Sequence, residues 1–164
     1  CHRDFWPAMH KNLLHRLSAS TLHTKWKIDF FNKSKGSALN SWIGCSFQDN
    51  ASKIKPTIQQ GSSQFNYRLE LGLKRHFEID DWTALPEVIR FQKTAAKWGY
   101  APHTGHWLVL KELPYRPRGQ NFTLRMCNEP EQFVDELADE VWFLFTHLEP
   151  LIDAANKQLH QLEG

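Results

Sequence analysis

The C-terminal stretch, residues 128–162, constrains the fold most, because it predicts one long amphipathic helix. Its apolar residues recur at helical spacing, which places them on one face. They are Phe133, Leu137, Val141, Leu144, Leu148, Leu151, Ala155, Leu159 and Leu162. Asn128 is suited to cap this helix, with Glu131 at the spacing of a capping box. Pro150 removes a backbone donor from the interior, so we expect a kink or a break near Glu149.

The middle of this stretch, residues 141–145, is apolar on every side of the predicted helix. One face of a helix cannot bury all of these side chains. We therefore expect cover from two sides, by a β-sheet beneath the helix and by another helix or a second subunit beside it. A homodimer formed through the C-terminal helix is accordingly one candidate assembly.

Alternating apolar and polar residues predict several half-buried strands. The alternation is clear in residues 22–31, 41–47 and 65–73. Residues 107–113 and 122–126 predict two further strands, which we expect to pair as a hairpin around a basic loop that contains two prolines.

Two further segments carry apolar stripes at helical spacing and predict helices, residues 4–17 and 86–98. Residues 49–64 are polar and poorly patterned, so we expect a long loop with a short edge strand or helical turn near residues 54–58. The predicted order is α-β-β-β-α-β-β-α. This order is typical of an α+β fold with a largely antiparallel sheet of about five strands, packed by the C-terminal helix.

The length of 164 residues fits a single domain, residues 1–164. No apolar run approaches the roughly 20 residues of a membrane span, and no signal peptide is visible. The cysteines are Cys1, Cys45 and Cys127, and no CxxC motif is present. An odd number of cysteines favours free thiols in a reducing compartment. We therefore expect a cytoplasmic protein that does not contact a membrane.

The charges are divided unevenly along the chain. Residues 1–76 carry 12 Lys and Arg against 4 Asp and Glu, whereas residues 77–164 carry 8 against 14, within an overall net charge of +2. One interpretation is a basic sheet face that meets an anion, with an acidic helix behind it. The other is ordinary variation between solvated surfaces.

Complete catalytic motifs are absent from the sequence. A metal-dependent nuclease core needs a (D/E)-x-K triplet, which the chain lacks. Asp29 and Glu70 lie on predicted strands, where they could share a cation or pair with lysines. His103 and His106 have a spacing that suits zinc, but a structural site needs about four ligands. There is no nucleophile elbow and no P-loop. We therefore predict no catalytic residue, no metal site and no cofactor.

Basic and aromatic residues interleave along much of the chain, including Lys53 and Lys55 in the predicted loop. Lysine and arginine neutralise phosphates, and exposed aromatic rings stack on bases. The same pattern also suits a solvated lysine-rich face that protects edge strands. The residues that we expect to contact nucleic acid are Lys25, Lys27, Lys33, Lys35, Arg68, Lys74, Arg75, Arg116 and Arg118.

The chain is similar to a bacterial domain family of unknown function that lies at the C-terminus of some putative restriction-type nucleases. The similarity is carried by Phe5-Trp6, Ser41-Trp42-Ile43-Gly44, Tyr67-Arg68-Leu69-Glu70-Leu71 and Glu149-Pro150-Leu151. The resemblance implies a bacterial protein with an accessory role in nucleic-acid defence or mobility. It transfers no catalytic residue to this chain.

The leading hypothesis is a non-catalytic module that contacts nucleic acid, or a partner that processes nucleic acid, through the basic strand face. One alternative is a small-ligand-binding protein with an aromatic pocket around Trp42, Trp107 and Trp142. The other is a dimeric interaction module that docks through its last helix.

Overall fold

The computed structural model describes residues 2–34, 41–50, 52–63, 66–103 and 105–163. Short 3₁₀ turns at Thr21–Thr24 and Trp82–Ala84 connect its main elements, and a third at His2–Asp4 precedes the first helix. The main elements are α1 (Phe5–Ser18), β1 (Lys27–Ser34), β2 (Ser41–Gln48), β3 (Ile54–Ser63), β4 (Asn66–Arg75), α2 (Pro86–Ala96), β5 (Ala101–Pro102), β6 (Trp107–Glu112), α3 (Gln120–Asn128) and α4 (Pro130–Glu163). The predicted strand residue Phe65 and the predicted site residue Lys35 lie outside the described residues.

The sheet has six strands in the order β1-β2-β3-β4-β6-β5, and every neighbouring pair is antiparallel. The predicted α+β fold with a largely antiparallel sheet is therefore confirmed. Strand β1 starts at Lys27 instead of at residue 22, because the preceding residues form the Thr21–Thr24 turn. The short β5 was not predicted.

The predicted loop at residues 49–64 is wrong, because β3 occupies Ile54–Ser63 in the middle of the sheet. Ile54 and Ile58 are completely buried on the helix-covered face, and the polar residues Lys55 and Thr57 alternate with them on the other face. Proline has no backbone N–H to donate and is normally absent from interior strands. Pro56 is tolerated because the last pair between β2 and β3 is Ser46–Thr57, so Pro56 pairs only with β4.

The predicted strand at residues 122–126 is also wrong, because this segment belongs to the helix α3. Phe122 and Met126 are both buried, and their spacing puts them on one helical face. The Phe122 ring packs edge-on against Phe5 at 5.0 Å and against Phe133 at 5.3 Å. A short apolar run fits a strand and a helix equally well, and here the packing against α1 and α4 decides for the helix.

The long helix α4 is continuous from Pro130 to Glu163 and includes Pro150, so the predicted break does not occur. Asn128 ends α3 instead of capping α4, and therefore the predicted capping box is wrong. Of the predicted apolar stripe, Leu151 is half-buried and Leu162 is 58 % exposed, whereas the other members are buried.

The core lies between α4 and the sheet. Phe145 stacks on Phe47 of β2 with ring centroids 4.2 Å apart, and it meets Trp26 edge-on at 5.1 Å. Burying each such side chain contributes about 1.5–3 kcal/mol. Within the apolar segment of residues 141–145, Trp142 is half-buried and Phe143 is 39 % exposed. The chain therefore covers most of this segment by itself.

Asn156 of α4 fixes the beginning of β3. Its Oδ1 accepts hydrogen bonds from the backbone N–H groups of Lys53 (3.0 Å) and Ile54 (2.7 Å), and its Nδ2 donates to the Ile54 carbonyl (3.3 Å). The side chain is 3 % exposed. Because Lys55 follows directly, this helix-to-strand contact also positions the first polar residue on the opposite face of the sheet.

The cysteines differ in state. Cys45 is a buried free thiol on β2, and burial raises its pKa to about 12. Cys127 is disulfide-bonded, so the expectation of free thiols is wrong at this position. Cys1 lies outside the described residues. The thiols thus give no support to a reducing compartment, and a cytoplasmic location stays a prediction.

Candidate nucleic-acid interface

The two faces of the sheet differ. On one face, Trp6 of α1 donates from Nε1 to Gln60 Oε1 (3.2 Å), and Asn156 of α4 binds Ile54. The opposite face, here called the open face, carries a concave basin of about 740 Å³. The residues that line it come from the strands β1, β2, β3, β4 and β6 and from the ends of β4 and β6. No residue of a described helix is among them.

The floor of the basin is made of small residues on neighbouring strands. Gly72 of β4 lies opposite Thr57 of β3, which in turn pairs with Ser46 of β2. A Cβ atom at Gly72 would lie 2.1 Å from the Val109 carbonyl oxygen, and one at Gly44 would lie 2.3 Å from the Ile58 carbonyl oxygen. Glycine is therefore required at both positions, and the missing side chains leave room above the sheet.

Aromatic side chains form part of the walls. Phe31 lies opposite Gly44, and Trp42 lies opposite Gly61. A Cβ atom at Gly61 would be 3.9 Å from Trp42 Nε1, so the indole lies close to the glycine backbone. Trp107 closes the side formed by β6. Phe31 and Trp42 are half-buried and keep part of their rings accessible, whereas Trp107 is 7 % exposed.

Lysines converge in the same basin. Lys55 and Lys74 are directly opposite each other on β3 and β4, and both are half-buried. Lys33 of β1 also lines the basin. Burial, and then the charge of Lys33, lower the pKa of Lys74. Burial also lowers the pKa of Lys55, with Lys33 adding to the effect and Asp29 opposing it. The folded protein therefore disfavours the charged form of both side chains.

None of these lysines makes an ion pair within the described part of the chain. Lys74 instead donates to Gln59 Oε1 (3.2 Å) and lies over the Trp107 ring at 5.7 Å. Gln59 in turn donates to Glu70 Oε2 (3.0 Å). Like charges opposite each other on adjacent strands are destabilising, and buried charges are normally paired. Asp29 and Glu70 also line the basin, but among the described residues neither forms an ion pair with these lysines. The lysine ammonium groups are therefore available to an anion.

His76 lies at the end of the basin nearest to Lys74. Although part of the residue is exposed, burial and then repulsion by Lys55, Lys74 and Lys33 lower its pKa to about 4. Between about pH 4 and 6.5 the imidazole is protonated in the unfolded chain but neutral in the folded protein. Protons thus bind preferentially to the unfolded state, and stability falls as the pH is lowered through this window.

A titration of His76 by NMR is expected to show a midpoint near 4. Removing a neighbouring charge with Lys74→Met should raise that midpoint, because one of the repelling groups is lost. The control Lys11→Met removes an exposed lysine from α1 and should leave the midpoint unchanged. A midpoint near the ordinary histidine value of about 6.5 in the unaltered protein would contradict the clustering of these cations.

The structure brings together part of the predicted nucleic-acid-binding set. Lys33, Lys74 and Arg75 line the basin. The remaining members are placed elsewhere. Lys27 and Arg68 belong to the open face by strand alternation but do not line the basin, and Lys25 faces α4. Arg116 is exposed between β6 and α3, and Arg118 lies in the same segment. Lys35 is outside the described residues.

Lys25 and Arg68 form ion pairs with carboxylates of the same chain. Lys25 pairs with Asp153 and lies 3.8 Å from Glu149, both of which belong to α4 on the helix-covered side. Arg68 pairs with Glu112 on the open face. These two cations are therefore already neutralised within the chain, and Lys25 does not belong to the basin.

The proposed aromatic pocket is only partly assembled. Trp42 and Trp107 line the basin, but Trp142 lies on α4 and lines a separate groove of about 630 Å³ together with Trp98 and Phe143. The structure therefore separates Trp142 from the other two tryptophans.

Among the described helices, none is apolar enough along its length to cross a membrane.

The predicted site set did not include several residues of the basin, namely Lys55, Gln59, His76 and His106. Lys55, Thr57, Gln59 and Gly61 alternate with Ile54 and Ile58, which is a strand pattern. Pro56 weakened this pattern, and so did the polar residues that occupy positions on both faces of the strand. His76 and His106 come together because the Arg75 N–H donates to the His106 carbonyl (2.8 Å) at the ends of β4 and β6.

Comparisons of the chain with protein-family models, with curated proteins and with solved structures found no significant match. The similarity to the family that accompanies restriction-type nucleases therefore stays a prediction.

Proposed function

We propose that this protein is a non-catalytic binding module that holds single-stranded nucleic acid on its open face. The observation that carries the proposal is the basin, in which Lys33, Lys55 and Lys74 form no ion pair with any described residue and line the same walls as Phe31 and Trp42. Lysines at such a surface neutralise phosphates, and accessible aromatic rings stack on bases.

A single strand suits this surface better than a duplex. In a duplex the base faces are stacked on one another, so aromatic side chains in a basin have nothing to stack on. In a single strand the bases turn outward and can lie against Phe31 and Trp42 while the backbone follows the lysines. The small residues of the floor leave the depth that an unstacked base requires.

Binding of short single-stranded DNA or RNA is expected to weaken with salt. Three neutralised phosphates predict a slope of about −2 for the logarithm of affinity against the logarithm of salt concentration, or about a tenfold to twentyfold loss between 50 and 200 mM salt. Fluorescence anisotropy of a labelled oligonucleotide measures this slope. Duplexes of the same sequence should bind more weakly. An affinity that salt does not change would overturn the proposal.

Trp42→Ala is expected to reduce single-strand affinity by about tenfold, because stacking on one aromatic ring contributes about 1–3 kcal/mol per base. The matched control is Phe143→Ala, which removes an exposed aromatic ring from α4 on the other side of the molecule. Circular dichroism would verify that both variants are folded. Equal loss of affinity in both variants would place the nucleic acid elsewhere.

A small anionic ligand is the second candidate, and the volume of the basin favours it. About 740 Å³ lies inside the range of about 300–1,000 Å³ typical of ligand pockets. This candidate shares its lysines and aromatic rings with the first, and the two are separated by the experiment described below.

A further inference from the structure

We propose that the basin contains a site for a phosphomonoester, held by Lys55 and Lys74. This inference rests on the proposed function, in which the phosphomonoester is the phosphorylated end of a nucleic-acid strand. A free mononucleotide presents the same chemical group, and the experiment distinguishes the two sources.

The charge of the site favours a terminal phosphate over an internal one. An internal phosphodiester carries a single negative charge, whereas a phosphomonoester carries about −1.5 to −2 near neutral pH and has three strong acceptor oxygens. Lys55 and Lys74 face each other across neighbouring strands, and the charge of Lys33 is close enough to influence both. Lys55 and Lys74 thus supply two positive charges at one end of the basin, which match the charge of a dianion.

The distribution of residues along the basin also fits a strand end. Lys55 and Lys74 lie toward one end, where Arg75, His76 and His106 also line the wall. Trp42 lies at the opposite end, where it pairs with Lys33 on one side and Gly61 on the other. From Lys55 to Gly61 along β3, the distance is about 20 Å at about 3.3 Å per residue.

This separation gives the basin a polarity. A phosphate at the lysine end leaves the attached sugar and base on the side of Phe31, which lies between the two ends by strand register. The next base along the strand then reaches Trp42. Internal phosphates repeat along a strand, so a site for them would have its lysines distributed along the basin. The half-buried lysines are instead concentrated at one end.

The test compares oligonucleotides of one sequence that carry a 5′-phosphate, a 3′-phosphate or only hydroxyl ends, together with AMP and inorganic phosphate as free probes. We expect one phosphorylated end to bind about tenfold more tightly than the hydroxyl-ended strand. Lys55→Met and Lys74→Met should each remove this preference and leave a weaker affinity that is the same for all ends. Lys11→Met should preserve the preference.

Binding of the phosphorylated probe should also raise the pKa of His76 in NMR titrations, because the anion offsets the lysine charges that lower it. This signal is independent of the affinity measurement and reports directly on the lysine end of the basin. A phosphorylated strand that binds tightly without moving the His76 titration would place the phosphate elsewhere and overturn the inference.

The outcomes separate this inference from the proposed function. Equal and salt-dependent binding of all strand ends would overturn the phosphomonoester site and leave nucleic-acid binding intact. Tight binding of AMP without binding of any oligonucleotide would support the site and overturn the proposed function. Binding of none of the probes at low salt would overturn both.

Discussion

The double variant Lys55→Met with Lys74→Met is expected to be more stable than the unaltered protein and to lose its affinity for anions. Both lysines have a lowered pKa, for which burial is the main cause. The charges of these two lysines therefore destabilise the folded protein. Methionine keeps the aliphatic length of the side chain without the charge. We expect the free energy of unfolding to rise by about 1 kcal/mol and Tm by about 2–4 °C.

The same substitution should lower nucleic-acid affinity by about a hundredfold, because two charge-assisted contacts are lost. The salt slope should fall by about 1.4 in magnitude. Urea unfolding and anisotropy at two salt concentrations measure the two effects on one preparation. Lys11→Met, which removes an exposed charge from α1, is the control for both. Loss of stability in the double variant would show that these lysines serve the fold.

The pH dependence of folding stability gives a further check that the charges of Lys55 and Lys74 destabilise the folded protein. A lysine whose pKa is lower in the folded protein than in the unfolded chain binds its proton less tightly after folding. Stability therefore rises as the pH increases from the lowered value toward the ordinary value of 10.5. This gain should be present in the unaltered protein and reduced in the double variant.

The sequence predicted those elements whose apolar period is long and regular. The helix α4 and the strands β2 and β4 show unambiguous periods of their own kind, and the structure contains them close to the predicted bounds. Pro150 did not end α4. The residues on both sides of it, Leu148 and Ile152, are completely buried. Their packing compensates for one lost backbone hydrogen bond.

Two elements depend on contacts that the local sequence does not contain. The strand β3 is paired on both sides and is held at its start by Asn156, which is more than 100 positions away in the chain. The helix α3 forms because Phe122 packs between Phe5 and Phe133. In both cases tertiary contacts outweighed the weak local pattern.

The candidate site shows the same division. Interleaved basic and aromatic residues predicted Lys33 and Lys74, and the alternative of an aromatic ligand pocket predicted Trp42 and Trp107. The fold collects these four residues in one basin. The same signal included Lys25, although Asp153 neutralises it through a contact that no local pattern reveals. Sequence reasoning finds cations, but only the fold shows which of them lack a carboxylate.

Asn156→Ala is expected to be strongly destabilising, with a loss of about 3 kcal/mol and about 6–12 °C in Tm. The substitution leaves the Ile54 N–H without its 2.7 Å acceptor in a buried position, and it also removes the acceptor of Lys53. Hydrogen exchange at these two amides should accelerate more than elsewhere in the sheet. Affinity for a phosphorylated strand should fall as well, because the freed start of β3 carries Lys55.

Two controls separate this local effect from general destabilisation. Leu13→Ala opens a cavity at a completely buried position of α1 and should cost about 2–5 kcal/mol without a selective change at Ile54. Gln158→Leu lies on the same helix as Asn156, and its buried Oε1 has no hydrogen-bond partner among the described residues. That variant should therefore be neutral or slightly stabilising. If Leu13→Ala reduced strand affinity as much as Asn156→Ala, the loss would reflect global unfolding, and Asn156 would have no particular role in positioning Lys55.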